Sequence, residues 1–483
     1  MANTEDLRKK TITSLIWKLF EQSGASVVSL IVQIVMARLL APEEFGMLAI
    51  MLVFVNVGNV IVQSGLNTAI IQAPDVSEKD YSTVFWMSLT VSLVLYAIIF
   101  FAAPSIATYY SLPYLISPLR VLVFVLIINA YNAIQEAVVA RNLEFGKTAK
   151  ATITAGIASG ALGIISAMLG AGVWALVIQQ LLFQIVKSIV LAIQIPWKPS
   201  FEFEPKRAAI LFSFSWKLLA SGLLEQGYQS LSDLMIGKVF DSSSLGFVSQ
   251  GKKYPQALGL MLDGAIQPVV LSAVAKVQDN KESVKRLARR ALKTSTFLIF
   301  PAMMLFALLA RSVVLVLLGE KWLPCVPFLQ MYCFVYAFLP VHTTNLQVLN
   351  GVGRSDLYLR LEVIKKIIGI CILCITVFAI RDLNAIVAGY IVSGVICTFV
   401  NAHPNKRVIG YSYVEQIRDI LPSFILAFAS GGISYVLAAF VSAPALLIVL
   451  QSLLMVISYL GLAWLFKVEE MSYLLRMLRG LRH

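Results

Sequence analysis

Charged residues are scarce in this sequence: only 13% of its 483 residues are Asp, Glu, Lys or Arg. Soluble domains carry about 25% charged residues, so the composition excludes a soluble globular protein. The 59% of hydrophobic residues and the mean hydropathy of +0.82 agree with that exclusion. The composition therefore predicts an integral membrane protein along the whole chain.

Residues that bind metals or perform catalysis are also few. The chain has three histidines and five cysteines, and its one CxxC pair, Cys371 and Cys374, lies inside an apolar segment. Structural zinc sites need four ligands, so we expect this pair to be buried packing residues and predict no metal site. The GxxxxGK[ST], GxSxG and HExxH motifs are missing as well. We therefore predict that the chain is not an enzyme, has no cofactor and is not itself an ATP-driven pump.

Long apolar runs fill most of the sequence. Because a helix needs about 20 apolar residues to cross a membrane, we predict fourteen spans. Their approximate bounds are 14–36, 46–72, 81–103, 116–140, 151–170, 173–195, 211–238, 247–275, 291–318, 324–350, 359–380, 384–402, 419–440 and 443–466. The first ten residues are polar and no small-residue cleavage site follows them, so we expect no cleavable signal peptide.

One polar-faced span occurs twice in the sequence. Both copies begin with Trp-Lys-Leu, and each places five polar residues at spacings of 4, 4, 3 and 4. At ~100° per residue, such a set lies on one narrow face of a helix. The first set is Lys18, Gln22, Ser26, Ser29 and Gln33, and the second is Lys217, Ser221, Glu225, Tyr228 and Ser232. A duplicated polar-faced helix in a long apolar chain is typical of transporters built from two structural repeats.

The repeat also predicts the domain organisation. Spans 1–6 form an N-lobe at 1–200, and spans 7–12 form a C-lobe at 201–410. Six is an even number, so both lobes enter the membrane the same way up and are related by a pseudo-two-fold axis along the membrane normal. Spans 13 and 14, with a basic tail, occupy 411–483. The predicted fold class is an all-α integral membrane protein of about fourteen transmembrane helices.

Basic residues accumulate on one side of the predicted membrane, which the positive-inside rule identifies as cytoplasmic. Both termini are then cytoplasmic. The net charge of +13 is explained by this topology and by attraction to anionic membrane lipids, so we expect no nucleic-acid partner. Two basic amphipathic segments, 281–290 and 471–482, either lie on the inner leaflet or form solvated loops.

Charged residues inside the predicted spans admit two interpretations. An ionised group at membrane depth costs on the order of 3 kcal/mol, so such groups must pair within the bundle or line water. Pairing would join Lys18 with Glu21 or Gln22, and Arg141 with Glu136 or Glu144. In span 8, Pro255 and Pro268 predict bends that are either fixed kinks or hinges.

A binding site is the favoured interpretation for Lys18 and Lys217, because they recur at matching positions and each begins a polar face. Two lysines facing a shared cleft would form a cationic patch suited to a phosphate or pyrophosphate. The Ser, Gln and Tyr side chains beyond them suit sugar hydroxyls. We expect Glu225, Asp233 or Asp263 to bind a coupling ion, either H⁺ or Na⁺.

Several stretches resemble a known family. They are ARLLAPEEFG at 37–46, SGL at 64–66, RNLEF at 141–145, GFVSQGKK at 246–253, AKVQD at 275–279 and GEKWLPCVP at 319–327. In order and spacing they resemble the Wzx-type polysaccharide exporters, close to the colanic-acid-exporter branch of the multidrug/oligosaccharidyl-lipid/polysaccharide superfamily.

The resemblance implies a flippase of the bacterial inner membrane that moves an undecaprenyl-pyrophosphate-linked oligosaccharide, such as an exopolysaccharide or O-antigen repeat, to the outer leaflet. It implies two six-helix lobes, alternating access, a cationic cavity containing Lys18, Lys217 and Lys253, and a polysaccharide polymerase and glycosyltransferases as partners. The chain departs from its relatives at Gln250 and Gly251, where they often have a basic residue and Ala. The alternatives are a multidrug or toxin cation antiporter of the same superfamily and a membrane-embedded glycosyltransferase or ligase.

Overall fold

A computed structural model describes residues 4–63, 65–72, 75–437 and 440–471. Within them it does not describe the side chains of residues 4–16, 18–20, 22–23, 72, 214 and 265. The described backbone is almost entirely helical, which confirms the predicted all-α class.

Seventeen α-helices are described. They are α1 (Thr4–Leu39), α2 (Pro42–Gln63), α3 (Leu66–Gln72), α4 (Glu78–Tyr110), α5 (Ile116–Leu122), α6 (Val125–Asn142), α7 (Phe145–Met168), α8 (Val173–Gln194), α9 (Pro205–Val239), α10 (Ser242–Ala275), α11 (Lys281–Leu317), α12 (Val326–Ala337), α13 (Leu339–Gly351), α14 (Ser355–Cys374), α15 (Leu383–Val408), α16 (Tyr413–Leu437) and α17 (Pro444–Leu465). Short 3-10 turns precede α5 and α12, and a π-helical turn, Ile375–Ile380, extends α14.

Each predicted span falls on one of these helices or on a consecutive pair. In the described part of the chain, twelve helical segments are long and apolar enough to cross a membrane, and α9 adds a thirteenth if its two bent halves are one span. The described apolar part of α1, Gly24–Leu39, is shorter than a full crossing. The chain is therefore a multi-pass membrane protein, while the count of fourteen stays a prediction.

Contacts between Cα atoms divide the chain into two compact units, Met1–Gly246 and Phe247–His483. The predicted lobes at 1–200 and 201–410 stay a prediction. In the first unit, α1 packs along α7 through small residues: Gly156 faces Val28, and a Cβ atom at Gly24 would lie 3.1 Å from Ile153. Small residues at such contacts let membrane helices approach closely where no hydrophobic effect drives them together.

The segment between α8 and α9 is packed against the start of α4. Trp197 is buried beside Tyr81, Phe85 and Tyr131. Arg207 then forms an ion pair with Asp80 at 2.7 Å. The same carboxylate caps the first turn of α4, where it accepts a hydrogen bond from the Ser77 backbone amide. The connector is thereby fixed to the first unit.

The structure contradicts both interpretations of the basic segment 281–290, which we expected either to lie on the inner leaflet or to form a solvated loop. It is the first part of α11, a continuous helix, and two of its cations pair with carboxylates of the second unit. Lys285 contacts Glu415 at 2.8 Å, and Arg289 contacts Asp419 at 2.6 Å. The segment is therefore part of the packed bundle. Of the second basic segment, 471–482, all but residue 471 lies outside the described residues.

Cys371 is exposed and Cys374 is half-buried, so the prediction that this pair is buried was wrong. Because α14 is a membrane-spanning helix, the exposed Cys371 thiol meets lipid or a neighbouring surface.

In α10, the helix continues through Pro255 and Pro268, so neither proline ends it.

Candidate substrate site

The polar face of α9 begins immediately after a bend. The helix turns by 50° between Ser213 and Ser215. Both serine hydroxyls donate to backbone carbonyls three residues earlier, Ser213 to Ile210 at 2.8 Å and Ser215 to Phe212 at 3.4 Å. Such back-bonding competes with the helix's own hydrogen bonds and bends it. Lys217 is the first charged residue beyond the bend.

The predicted set on α9 shares one face, and that face is open along its first half. Lys217, Ser221 and Glu225 are exposed, Tyr228 is half-buried, and Ser232 is buried. The Glu225 carboxylate accepts a hydrogen bond from Gln229 at 2.8 Å. The face therefore presents a cation, a hydroxyl and a carboxylate in succession, and becomes covered towards the end of the helix. Asp233, the second coupling candidate, is half-buried.

Packing against α2 and α3 fixes the rotation of α9. A Cβ atom at Gly222 would lie 3.0 Å from Val60, and one at Gly237 would lie 3.1 Å from Ile50. At the other end of the contact, Gly65 has a φ of +68° and packs against Leu218. Because this side of α9 is held against its neighbours, the face with Lys217 points away from them.

The matching face of α1 is described only in part. Ser26 and Ser29 are exposed, and Gln33 is half-buried with its amide donating to Ser29 at 3.4 Å. The side chains of Lys18 and Gln22 lie outside the described residues. Glu21 accepts hydrogen bonds from Thr148 at 3.2 Å and Thr152 at 3.3 Å, both on α7. The predicted approach of Lys18 to Lys217 stays a prediction.

On α10, the place of Lys253 follows from that of Gly251. A Cβ atom at Gly251 would lie 2.9 Å from the Leu329 backbone nitrogen and 3.1 Å from the Cys325 carbonyl oxygen. Backbone cannot move aside as a side chain can, so alanine, which we expect here in relatives, does not fit this contact. Lys253 is two residues further, about 200° around the helix, on the side away from α12. It is half-buried.

Asp263, also on α10, is half-buried, and its Oδ1 atom is buried without a hydrogen-bond partner among the described residues. Buried acceptors of this kind are rare in native proteins. A carboxylate at membrane depth with an unused oxygen suits a bound cation or proton, as predicted for the coupling site. Among the described residues, no cluster of three or more His, Cys, Asp or Glu side chains could hold a metal ion.

Other charges within the spans form braces. Lys187 on α8 contacts Glu136 on α6 at 2.5 Å. Arg141 donates to the Ile70 carbonyl oxygen at the end of α3, at 2.9 Å. Glu144, one of the two carboxylates predicted to pair with Arg141, contacts Lys147. The bracing interpretation therefore applies to Lys187 and Glu136, which we do not include in the site.

Sequence reasoning missed a buried polar layer in the second unit. Asn345 and Gln416 exchange two hydrogen bonds of 2.9 Å, and Asn405 donates to Asn345 at 2.7 Å. One turn away, Asn401 contacts His342 at 3.0 Å. Asn401 and Asn405 are four residues apart in an apolar span, so they lie on one face of the helix. This spacing of two asparagines could have predicted the layer from the sequence.

Comparison with known proteins agrees with the fold. The sequence profile of a family described as "Polysaccharide biosynthesis protein" matches residues 35–327. The chain belongs to this polysaccharide biosynthesis family. It is 22% identical over 438 residues to the lipopolysaccharide biosynthesis protein WzxC of Escherichia coli (strain K12), covering 89% of this chain and 88% of that protein. It is also 23% identical over 353 residues to the succinoglycan biosynthesis transport protein ExoT of Rhizobium meliloti (strain 1021), covering 73% of this chain and 72% of that protein.

Solved structures share the fold. The lipid II flippase MurJ, in an inward closed conformation, has a TM-score of 0.74 at 15% identity, covering 94% of this chain and 98% of that chain. An inward-facing multidrug resistance MATE transporter of the MOP superfamily has a TM-score of 0.62 at 16% identity, covering 82% of this chain and 98% of that chain. These likenesses concern the fold alone. The family and the relatives in sequence favour polysaccharide transport over the multidrug alternative.

Proposed function

We propose that this protein is a flippase that moves an undecaprenyl-pyrophosphate-linked oligosaccharide from the inner to the outer leaflet of a bacterial inner membrane. Membership of the polysaccharide biosynthesis family supports the substrate class, and the fold shared with a lipid II flippase supports the reaction. The observation that carries the proposal is the exposed face of α9, which begins with Lys217 directly after the 50° bend.

In the proposed mechanism, Lys217, Lys18 and Lys253 bind the pyrophosphate. Lysine ammonium groups donate charge-assisted hydrogen bonds to phosphate oxygens, and their charge offsets the cost of bringing the anion to membrane depth. Gln22, Ser26, Ser221 and Tyr228 bind sugar hydroxyls, because each can donate and accept hydrogen bonds. The polyprenyl chain stays in the bilayer, so its movement requires no desolvation of polar groups.

Alternating access follows from the repeat. Lobes at 1–200 and 201–410 rock about the bound head group, exposing it first to the cytoplasm and then to the opposite side. Bent helices beside a substrate are a recurring feature of such transporters, and α9 provides one. Glu225, Asp233 or Asp263 couples the cycle to H⁺ or Na⁺, with Asp263 Oδ1 offering an unused acceptor.

The location and partners follow from this role. Both termini lie in the cytoplasm, where glycosyltransferases assemble the lipid-linked oligosaccharide, and a polysaccharide polymerase uses it on the other side. The protein performs no covalent step: translocation changes the leaflet of the substrate and breaks no bond.

Export in living cells tests the proposal. A strain that lacks its own flippase and carries the cognate glycosyltransferases is complemented with wild type, Lys18→Ala, Lys217→Ala and, as a control, Lys206→Ala, which removes an exposed lysine at the start of α9. A charged hydrogen bond contributes about 1.5–3 kcal/mol, so each site variant should lower export roughly 10- to 100-fold at equal membrane abundance. Full export by the Lys18→Ala/Lys217→Ala double variant would refute the proposal.

A further inference from the structure

A partly open apolar cleft lies between α15 and α16 in the second unit. Val395, Phe399 and Ala402 line its α15 side, and Ile417 and Leu421 line its α16 side. Both helices are membrane-spanning, so the cleft lies within the bilayer. Apolar cavities do not hold ordered water, and a hydrocarbon chain is the occupant that the membrane supplies.

One end of the cleft meets the buried amide layer. Gln416 lines the cleft and exchanges two hydrogen bonds with Asn345. Asn405 on α15 joins the same layer. The loop that connects α15 to α16 lies just beyond it, on the side that the distribution of basic residues predicts to be cytoplasmic. The apolar cleft therefore gives way at this end to polar groups and the membrane surface.

Helical spacing places two cations beside the polar end. Lys406 lies one turn beyond Ala402 on α15, and Arg418 lies three residues before Leu421 on α16, so each is a helix-face neighbour of a lining residue. Both side chains are exposed, and neither makes a hydrogen bond or ion pair with another described residue. Tyr413 also lines the cleft and packs edge-on against Phe399, with ring centroids 6.0 Å apart. Amphipathic tyrosine is typical of the membrane interface.

We propose that this cleft binds an anionic phospholipid of the surrounding membrane. One acyl chain lies between α15 and α16, and the phosphate lies at Lys406 and Arg418. Ammonium and guanidinium groups are strong donors to phosphate, and basic pockets between membrane helices bind anionic head groups. The two positive charges select an anionic lipid over a zwitterionic one. The site contains none of the residues proposed for transport and does not depend on that proposal.

Lipid titration of the full chain tests this site. The protein is delipidated in detergent and titrated with phosphatidylglycerol, with binding followed by native mass spectrometry and by thermal unfolding. A basic residue near an anionic lipid contributes roughly a fivefold gain in affinity, so the Lys406→Gln/Arg418→Gln variant should bind about 30-fold more weakly. The matched control, Lys281→Gln/Arg311→Gln, removes two exposed cations of the same unit and should bind as wild type does.

Two further variants keep the test decisive. If the double variant does not fold, each single variant should show about a fivefold loss. Thr398→Trp fills the cleft from its α15 side and should weaken phosphatidylglycerol binding while leaving both cations in place.

Several results would overturn the proposal. Equal affinity of the two double variants would show that Lys406 and Arg418 do not bind the head group. Equal affinity for phosphatidylcholine would show that the site does not select an anionic lipid over a zwitterionic one. An equal thermal shift with inorganic phosphate would assign the cations to a free anion, and tighter binding of undecaprenyl phosphate would assign the cleft to the transported lipid.

Discussion

Gly246 lies directly against Pro42: a Cβ atom at position 246 would overlap the Pro42 carbonyl oxygen. The contact is reciprocal, because a Cβ atom at Gly46 would overlap the Ser242 carbonyl oxygen. The two pairs lie 200 residues apart, one residue more than the 199-residue offset between the polar sets that begin at Lys18 and Lys217. The first turns of α2 and α10 therefore cross at equivalent points, and only glycine at both positions permits it.

Alanine at Gly246 should destabilise the protein, because the new methyl group meets backbone that cannot rotate away. Overpacking typically costs ~1–3 kcal/mol of the free energy of unfolding. Gly264→Ala, on the same helix, is the matched control: a Cβ atom there meets nothing within 4 Å, and alanine favours helix by ~0.5–1 kcal/mol. Thermal unfolding in detergent should rank Gly264→Ala above Gly246→Ala, and equal midpoints would contradict the crossing.

Removing one partner of the Lys187–Glu136 pair should cost more than removing both. Lys187→Met leaves the Glu136 carboxylate without its cation at membrane depth, and a buried pair broken in this way costs ~3–5 kcal/mol. The Glu136 side chain is 40% exposed, so we expect a smaller loss. The double variant Lys187→Met/Glu136→Gln should recover part of the stability. A double variant that is no more stable than Lys187→Met would show that the two residues are not coupled.

The buried amide layer should contribute to the stability of the second unit. Gln416→Ala removes two buried hydrogen bonds to Asn345, each of which contributes ~0.5–1.5 kcal/mol, while Asn345 keeps its bonds with Val341 and Asn405. Gln267→Ala on α10 removes an exposed glutamine and serves as the control. Unfolding in increasing denaturant should show a lower midpoint for Gln416→Ala alone. If both variants have the same denaturant midpoint as wild type, the layer makes no net contribution to the free energy of unfolding.

Acidification should weaken the segment that follows α17. The Lys293 ammonium, 2.8 Å from Glu469, lowers the pKa of the Glu469 carboxyl. A lowered folded-state pKa gives stability that is present above the unfolded pKa of about 4.3 and is lost as pH falls through the folded value. Glu469 is largely exposed, so the contribution is at most ~1 kcal/mol. Stability measured from pH 7 to pH 3 should fall less steeply in Glu469→Gln than in wild type or in Glu282→Gln, and parallel curves would contradict the assignment.

The sequence predicted the helices well, because a run of about 20 apolar residues leaves the backbone no partner in a membrane except its own carbonyls. It also predicted that Lys217, Ser221 and Glu225 share a face, because helical spacing alone determines this. Both inferences need only local information.

Contacts between distant segments could not be predicted in the same way. The repeat equated Gly46 with Gly246 but could not show that each faces the other's helix. No Asp or Glu lies between Glu144 and Glu202 in the sequence, so only the packing of α8 on α6 selects Glu136 as the partner of Lys187. The bend near Ser213 was also missed, since serine pairs occur in straight helices and the bend depends on which carbonyl each hydroxyl contacts.

The most direct test of the central claim is the rate at which a lipid-linked oligosaccharide crosses the bilayer of vesicles containing the purified protein. Wild type and Lys206→Ala should flip the lipid at equal rates, whereas Lys217→Ala should be at least about tenfold slower with the same amount of folded protein in the vesicles. An unchanged rate for Lys217→Ala would contradict the assignment of the α9 face as the head-group site.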